Sequence, residues 1–93
     1  MNTKLKIGSL TYEVDILPFI RDDEGHEALG RCDTDKLNII ISQDTNIPTP
    51  RILLHEVIHA IDYEYGLELV ESQVRILANA LYQVINDNDD FFE

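Results

Sequence analysis

The sequence has a single cysteine, few basic residues and no long apolar run, and each scarcity excludes a class of protein. With Cys32 as its only thiol, the chain forms no intrachain disulfide and lacks the thiolates of a cysteine-rich structural zinc site. No segment approaches the roughly 20 apolar residues that a membrane-spanning helix requires, so we expect no membrane partner. These absences together predict a protein of the reducing cytoplasm.

Basic residues are outnumbered, with 7 lysines and arginines against 18 acidic residues and a formal net charge of −11. Such a charge repels phosphate backbones, so the composition predicts no direct binding to nucleic acid. It favours solubility, and it also suits a basic protein partner. An acidic inhibitor or DNA mimic is therefore one function class that the composition leaves open.

The length and composition predict one small globular domain over residues 1–93. Hydrophobic residues make up 44% of the chain and charged residues 27%, which is ordinary for a globular protein and excludes disorder throughout. A domain of this size has a small core, so a bound metal would contribute to its stability. The acidic tail, from about residue 87 to residue 93, is expected to be frayed.

Alternating apolar and polar residues predict strands in the first half of the chain. Residues 5–7 and 11–16 flank Gly8, which suits the positive φ of a tight turn, and they predict a hairpin. The charged residues 21–25 predict an irregular segment. The pattern also allows a short helix over part of residues 17–28 and does not decide between the two.

A second hairpin is predicted over residues 28–42. Residues 33–35 supply its turn chemistry, and residues 37–41 form a strand with three consecutive isoleucines. Such a run is typical of a strand that is buried on both faces.

The second half of the chain predicts two helices that pack antiparallel. The first covers about residues 50–65, with Thr49 as N-cap, Pro50 at its first position and Gly66 as C-terminal cap. The second covers about residues 68–85 and follows a short connection. The residues expected to face the core are Leu54, Val57, Ile58 and Ile61 on the first helix, and Val70, Val74, Leu77, Leu81 and Val84 on the second. The expected fold class is α+β, with a small antiparallel or mixed sheet of N-terminal hairpins against two helices.

The first helix carries the motif His55-Glu56-Val57-Ile58-His59. Residues four apart lie on one face of a helix, so both imidazoles can reach one metal ion. Glu56 lies beside that ion, where its carboxylate can act as a general base. This is the H-E-x-x-H arrangement of zinc metallopeptidases.

A catalytic zinc takes three protein ligands, so a third is expected elsewhere in the chain. Glu71, early in the second helix, is the favoured candidate. Glu64 and Glu68 are weaker candidates, and His26 is left open as a ligand from a polar loop. Asp62 is a weaker candidate ligand too; it is either a solvated surface acid or an acceptor that orients the ring of a ligating histidine.

With Glu71-x-x-Val74-x-x-x-Ala78 downstream of it, the motif resembles the compact zincin peptidases of the ImmA/IrrE kind. Those proteins combine H-E-x-x-H with a helix that bears E-x-x-A-x-x-x-A, so Val74 is a departure from their pattern. Ala60-x-Asp62 is also similar to the catalytic domain of anthrax lethal factor. Both groups share a plan in which a downstream helical glutamate is the third zinc ligand.

This resemblance implies a minimal zincin-like fold in which His55, His59 and Glu71 bind Zn²⁺ and Glu56 is the general base. It implies hydrolysis of a protein or peptide substrate, which lies as an extended strand along the second hairpin, on the strand at residues 37–42. A regulatory peptidase of phage or mobile-element type is one form of this function. Tyr63, Tyr65, Tyr82 and His26 are available to stabilise an oxyanion, and that role is left unassigned. The alternative is a non-catalytic, acidic interaction protein on a zincin scaffold, in which Glu56 would have no use.

Overall fold

The computed structural model describes residues 2–22, 24–43 and 45–92 and has an α+β architecture, as the sequence predicts. Strands fill the first half of the chain and helices the second half. The strands are β1 (Asn2–Ile7), β2 (Leu10–Leu17), β3 (Ile20–Arg21), β4 (Glu27–Ala28), β5 (Gly30–Asp33) and β6 (Asn38–Ser42). The helices are α1 (Thr49–Tyr65), α2 (Glu71–Asp87) and a 3-10 helix at Asp89–Phe91.

Four strands form a mixed sheet in the order β1-β2-β6-β5. Both predicted hairpins are present, since β1 pairs antiparallel with β2 and β5 pairs antiparallel with β6. Gly8 turns the first hairpin with φ +61°, a conformation that favours glycine. The two hairpins join through the parallel pair β2 and β6, so β6 lies inside the sheet and β5 at its edge. The prediction that a substrate pairs with the strand at residues 37–42 is therefore wrong, because β2 and β5 already occupy both edges of β6.

Two further details of the first half differ from the prediction. Leu37 has φ +55° and belongs to the turn, so the strand begins at Asn38 rather than at residue 37. Residues 17–28 contain no helix among the described residues; instead β3 and β4 pair antiparallel there as a separate two-stranded sheet. Asp23, in the segment predicted to be irregular, lies outside the described residues.

The main core lies between the four-stranded sheet and α1. Its largest fully buried side chains come from the middle strands, where β-branched residues pack well on a pleated surface. The core residues are Ile7, Tyr12, Val14, Ile39, Ile41, Ile52 and Ala60. Helix α1 is consequently covered by the sheet on one side, and α2 packs on another side of it through a smaller cluster of Ile58, Val74 and Ala78.

The C-terminal end of α1 matches the prediction and its N-terminal end does not. Gly66 caps the helix in the left-handed conformation with φ +65°, and its N–H donates to the carbonyl oxygen of Asp62. The N-cap position is Pro48 instead of Thr49, and no side chain caps the helix. Thr49 is therefore the first helical residue, and its predicted capping role is wrong.

Helix α2 begins three residues later than predicted, at Glu71 instead of Glu68. Glu68 has φ +59°, which no right-handed helix accommodates. The helix continues to Asp87, and the 3-10 helix follows where a frayed tail was expected; Glu93 lies outside the described residues.

The predicted apolar stripe of α2 is mostly not in the core. Of the five residues expected there, only Val74 is buried, because α2 touches α1 along a narrow line. The other four keep 40–58% of their surface exposed: Val70, Leu77, Leu81 and Val84. On α1, Ile58 is buried and the other three predicted core residues are half-buried.

Within the described part of the chain, neither helix has the length and apolar character needed to cross a bilayer.

The hydroxyl of Tyr12 is buried and has no hydrogen-bond partner among the described residues. An unpaired buried hydroxyl destabilises the folded state, whereas the ring beneath it contributes apolar burial. We expect Tyr12→Phe to leave the free energy of unfolding unchanged or to raise it by about 1 kcal/mol. Tyr12→Ala should lower it by about 3–5 kcal/mol.

Urea denaturation followed by circular dichroism measures both variants against the wild type. A loss of stability in Tyr12→Phe that approaches the loss in Tyr12→Ala would contradict this account of the hydroxyl.

Candidate metal centre

Helices α1 and α2 run antiparallel, with one row of polar side chains on each facing the other. On α1 the row is Arg51, His55 and His59, and on α2 it is Glu71, Arg75 and Asn79. Each row follows the four-residue spacing that places side chains on one helix face. The two rows pair in antiparallel order: Arg51 contacts Asn79 at one end, and His59 contacts Glu71 at the other.

The three predicted metal ligands meet at one end of these rows. Nε2 of His55 lies 2.7 Å from Oε1 of Glu71, and Nε2 of His59 lies 3.1 Å from its Oε2. The imidazole centroids are 5.1 Å apart. Glu71 reaches both rings because it is the first residue of α2, directly after the loop that reverses the chain.

This group has the composition and the spacing of a zinc site. One ligand atom from each residue lies within 4.8 Å of the others. Ligands bound to zinc at about 2.0–2.2 Å lie roughly 3–4 Å from one another, so small side-chain movements would bring these atoms into place. Two imidazole nitrogens and one carboxylate also match the donor set of catalytic zinc sites, which keep a fourth position open. The residues therefore fit the metal that the motif predicts.

Glu56 is buried beside this group, with 7% of its surface exposed. Burial raises the pKa of its carboxyl to about 7; His55 opposes that rise and the negative charge of Glu71 adds to it. A carboxyl that titrates near neutral pH can both accept and release a proton there.

Gly30 of β5 covers the Glu56 side chain. A Cβ atom at position 30 would lie 2.8 Å from Oε2 of Glu56 and 2.9 Å from its Cγ, closer than such atoms approach one another. The absence of a side chain at Gly30 therefore lets the edge strand pass closely over Glu56. The sequence pattern marks this glycine only as part of a predicted hairpin.

A cleft of about 360 Å³ opens beside the candidate metal ligands. Its polar side is formed by His55, Glu56 and Glu71 together with three residues that the motif did not identify. These are Arg51, Arg75 and Asn79, and the apolar part of the lining includes Leu29, Ile47 and Ile52. The four-residue spacing from His55 back to Arg51, and from Glu71 on to Arg75 and Asn79, is the sequence signal that identifies them.

The other candidate ligands lie apart from the group of His55, His59 and Glu71. Oδ1 of Asp62 accepts a hydrogen bond from the Leu69 N–H at 3.1 Å, so this carboxylate stabilises the loop before α2. Glu64 lies against the β1–β2 turn, and Glu68 is exposed in the loop between the helices. His26 is 73% exposed, 3.7 Å from Asp22.

The tyrosines considered for an oxyanion role lie outside the cleft lining. Tyr63 and Tyr65 are more than 60% exposed on the last turns of α1. Tyr82 lines a different groove, between β1, the start of α1 and the end of α2. None of these three tyrosines is among the residues that line the cleft.

Comparison with known proteins found no match of the chain to a family model, to a curated protein or to a solved structure.

The contact of Gly30 with Glu56 predicts a stability effect. Gly30→Ala should lower the free energy of unfolding by about 1–3 kcal/mol, because the buried Glu56 side chain has little room to move away from the new methyl group. Thermal unfolding measures the loss.

The control is the same substitution in a Glu56→Ala background, where the methyl group meets no carboxylate. An equal loss in both backgrounds would show that the contact is not the cause.

Cys32, on the same strand, is expected to be a poor nucleophile. Burial raises the pKa of its thiol to about 11, and the negative charges of Glu56 and Asp33 add to the rise. Relative to a thiol of pKa 9, the reactive thiolate at pH 8 is about a hundredfold scarcer. Iodoacetamide should therefore label the native protein far more slowly than the urea-unfolded chain, as followed by mass spectrometry. Equal labelling rates in the two states would contradict this environment.

Proposed function

We propose that this protein is a small zinc-dependent metallopeptidase that hydrolyses a peptide bond of a protein substrate. The observation that carries the proposal is the meeting of His55, His59 and Glu71 beside the buried Glu56. Two histidines and a carboxylate are the ligands of one class of catalytic zinc site. A carboxyl group adjacent to such ligands is the general base of the H-E-x-x-H arrangement.

Each residue of the site has a defined task in this proposal. Zinc held by His55, His59 and Glu71 would supply Lewis-acid chemistry toward the scissile carbonyl. Glu56 accepts a proton from the attacking water and passes it to the leaving nitrogen. Gly30 limits access of bulk water to Glu56 from the sheet side, since its backbone lies directly over the carboxyl group.

The geometry of the sheet favours β5 as the strand that receives the substrate. Strand β5 pairs with β6 on one side, and the order of strands leaves its other side at the edge of the sheet. Gly30, the first residue of β5, and Leu29 directly before it also line the cleft beside the metal ligands. An extended peptide that adds to this edge would pass the cleft, with main-chain hydrogen bonds holding it in register.

The same proposal places the protein in the cytoplasm, where a single half-buried cysteine stays reduced. A regulatory role of phage or mobile-element type belongs to this proposal only by the resemblance of the motif. The net charge of −11 favours a second candidate, a non-catalytic protein that binds a basic partner. The two candidates differ in whether Glu56 is needed.

Two substitutions test the metal site and the base separately. Wild type and Glu56→Gln should each bind about one zinc per chain, and zinc should raise their melting temperatures because it binds the folded state. His59→Ala should lose most of this binding and most of the shift. Metal analysis and thermal unfolding with and without zinc measure both effects.

Cleavage is then assayed on a denatured bacterial proteome digest by mass spectrometry of new chain ends. Glu56→Gln should cleave about 10²–10⁴-fold more slowly than wild type, because it retains the metal but lacks the base. Absence of stoichiometric zinc in the wild type would end the metallopeptidase proposal. If the wild type binds zinc but does not differ from Glu56→Gln in the cleavage assay, the non-catalytic interaction protein is favoured.

A further inference from the structure

The cleft beside the metal ligands contains two of the four arginines in the chain. Arg51 comes from α1 and Arg75 from α2, and both line the same cavity. In a protein with a net charge of −11, a cleft lined by as many arginines as acidic residues is less acidic than the chain as a whole.

Arg51 is held in place by a neighbour. Its Nε donates a hydrogen bond of 2.7 Å to Oδ1 of Asn79. This bond leaves the two terminal nitrogens of the guanidinium group available as donors. Arg75 lies one turn before Asn79 and one turn after Glu71, so it stands between the Arg51–Asn79 pair and the metal ligands.

The two carboxylates of the same cleft form no ion pair with these arginines. Glu71 directs its two oxygens to His55 and His59, at 2.7 and 3.1 Å. Glu56 is buried beneath Gly30. Across residues 2–22, 24–43 and 45–92, no ion pair engages Arg51 or Arg75.

We propose that Arg51 and Arg75 form a subsite that binds a carboxylate of the substrate. This inference rests on the proposed peptidase function and names its substrate class: peptides with an acidic side chain, or a free C-terminus, near the cleaved bond. A guanidinium group binds a carboxylate through paired hydrogen bonds, which makes it suited to this recognition. A singly charged carboxylate is also repelled less than a phosphate by the net negative charge of the protein.

The helix geometry sets the distance of this subsite from the metal ligands. Arg51 lies four residues before His55, which is about 6 Å along α1. An extended peptide advances about 3.3 Å per residue. The recognised carboxylate therefore belongs to a residue roughly two positions from the cleaved bond.

Binding of matched peptides to the zinc-loaded protein tests the subsite, with Glu56→Gln as background so that no peptide is consumed. One set is blocked at both ends and carries a single glutamate at successive positions, and a second set has glutamine in its place. A third set has glutamine and a free C-terminal carboxylate. Isothermal titration gives the dissociation constants, and the Nε–Hε NMR signals of the arginines report local contact.

We expect one glutamate position, or the free C-terminus, to bind about tenfold more tightly than the neutral peptide. The Nε–Hε signal of Arg51 should shift with it. Arg51→Gln and Arg75→Gln should each remove most of this preference while zinc content stays the same. Arg21→Gln is the matched control, because it removes the same charge from β3, where Arg21 donates to the Gly25 carbonyl oxygen.

Equal affinity for all three sets, including no binding of any, would overturn the subsite. A carboxylate preference that survives both cleft substitutions would also overturn the subsite, because the zinc ion or the overall electrostatic field of the protein would then be the cause. A preference for glutamate assigns the subsite to a side chain, and a preference for the free C-terminus assigns it to the end of the chain. Failure of the peptidase proposal has a different outcome. In that case the zinc-loaded wild type binds these peptides but cleaves none of them.

Discussion

Glu71 reaches the two histidines of α1 only because Val74 and Ala78, about one and two turns further along α2, pack against Ile58. Val74 is fully buried and Ala78 is 1% exposed. The small side chain of Ala78 keeps the two helices close, and close packing lets one carboxylate contact imidazoles from two successive turns. Because the ligands come from different helices, the candidate metal centre exists only while this narrow contact holds.

A second constraint ties the sheet to the same helix. Glu56 lies on the side of α1 that faces β5, and the strand passes over it at Gly30 with no space for a methyl group. The carboxyl group is consequently removed from water, which raises its pKa. One helix therefore presents the histidines toward α2 and Glu56 toward the sheet, and both neighbours shape the candidate site.

The parts of this structure that were predictable from sequence are those set by local spacing. Helical periodicity and a glycine cap sufficed to predict α1 and the shared face of His55 and His59, and a short connection sufficed to bring Glu71 near them. The order of strands was not predictable, because the parallel pairing of β2 with β6 joins distant segments and no local pattern encodes it. For that reason the sequence pattern did not reveal that β6 lies between two strands and has no open edge.

Burial on α2 was overestimated for a related reason. An amphipathic stripe indicates which face of a helix is apolar, but not how much partner surface the fold provides for it. Here α1 covers a line along that face, and Leu77, Leu81 and Val84 keep about two fifths of their surface in contact with solvent. The 3-10 helix after α2 adds no buried residue to hold the helix.

Helix α2 is therefore held by few buried side chains, and its polar contacts with α1 gain importance accordingly. The contacts of Glu71 with the histidines lie at one end of the interface, and the Arg51–Asn79 hydrogen bond lies toward the other. A metal bound at the first end would replace weak, water-exposed contacts with ligand bonds, and in a domain with a small core that gain is a considerable share of the stability. Because Arg75 and Asn79 belong to the same helix as Glu71, contacts that fix Glu71 against the histidines also help to fix the position of Arg75 and of Asn79, the partner of Arg51. In the proposed peptidase, metal binding and substrate selection would then depend on one another through the placement of a single helix.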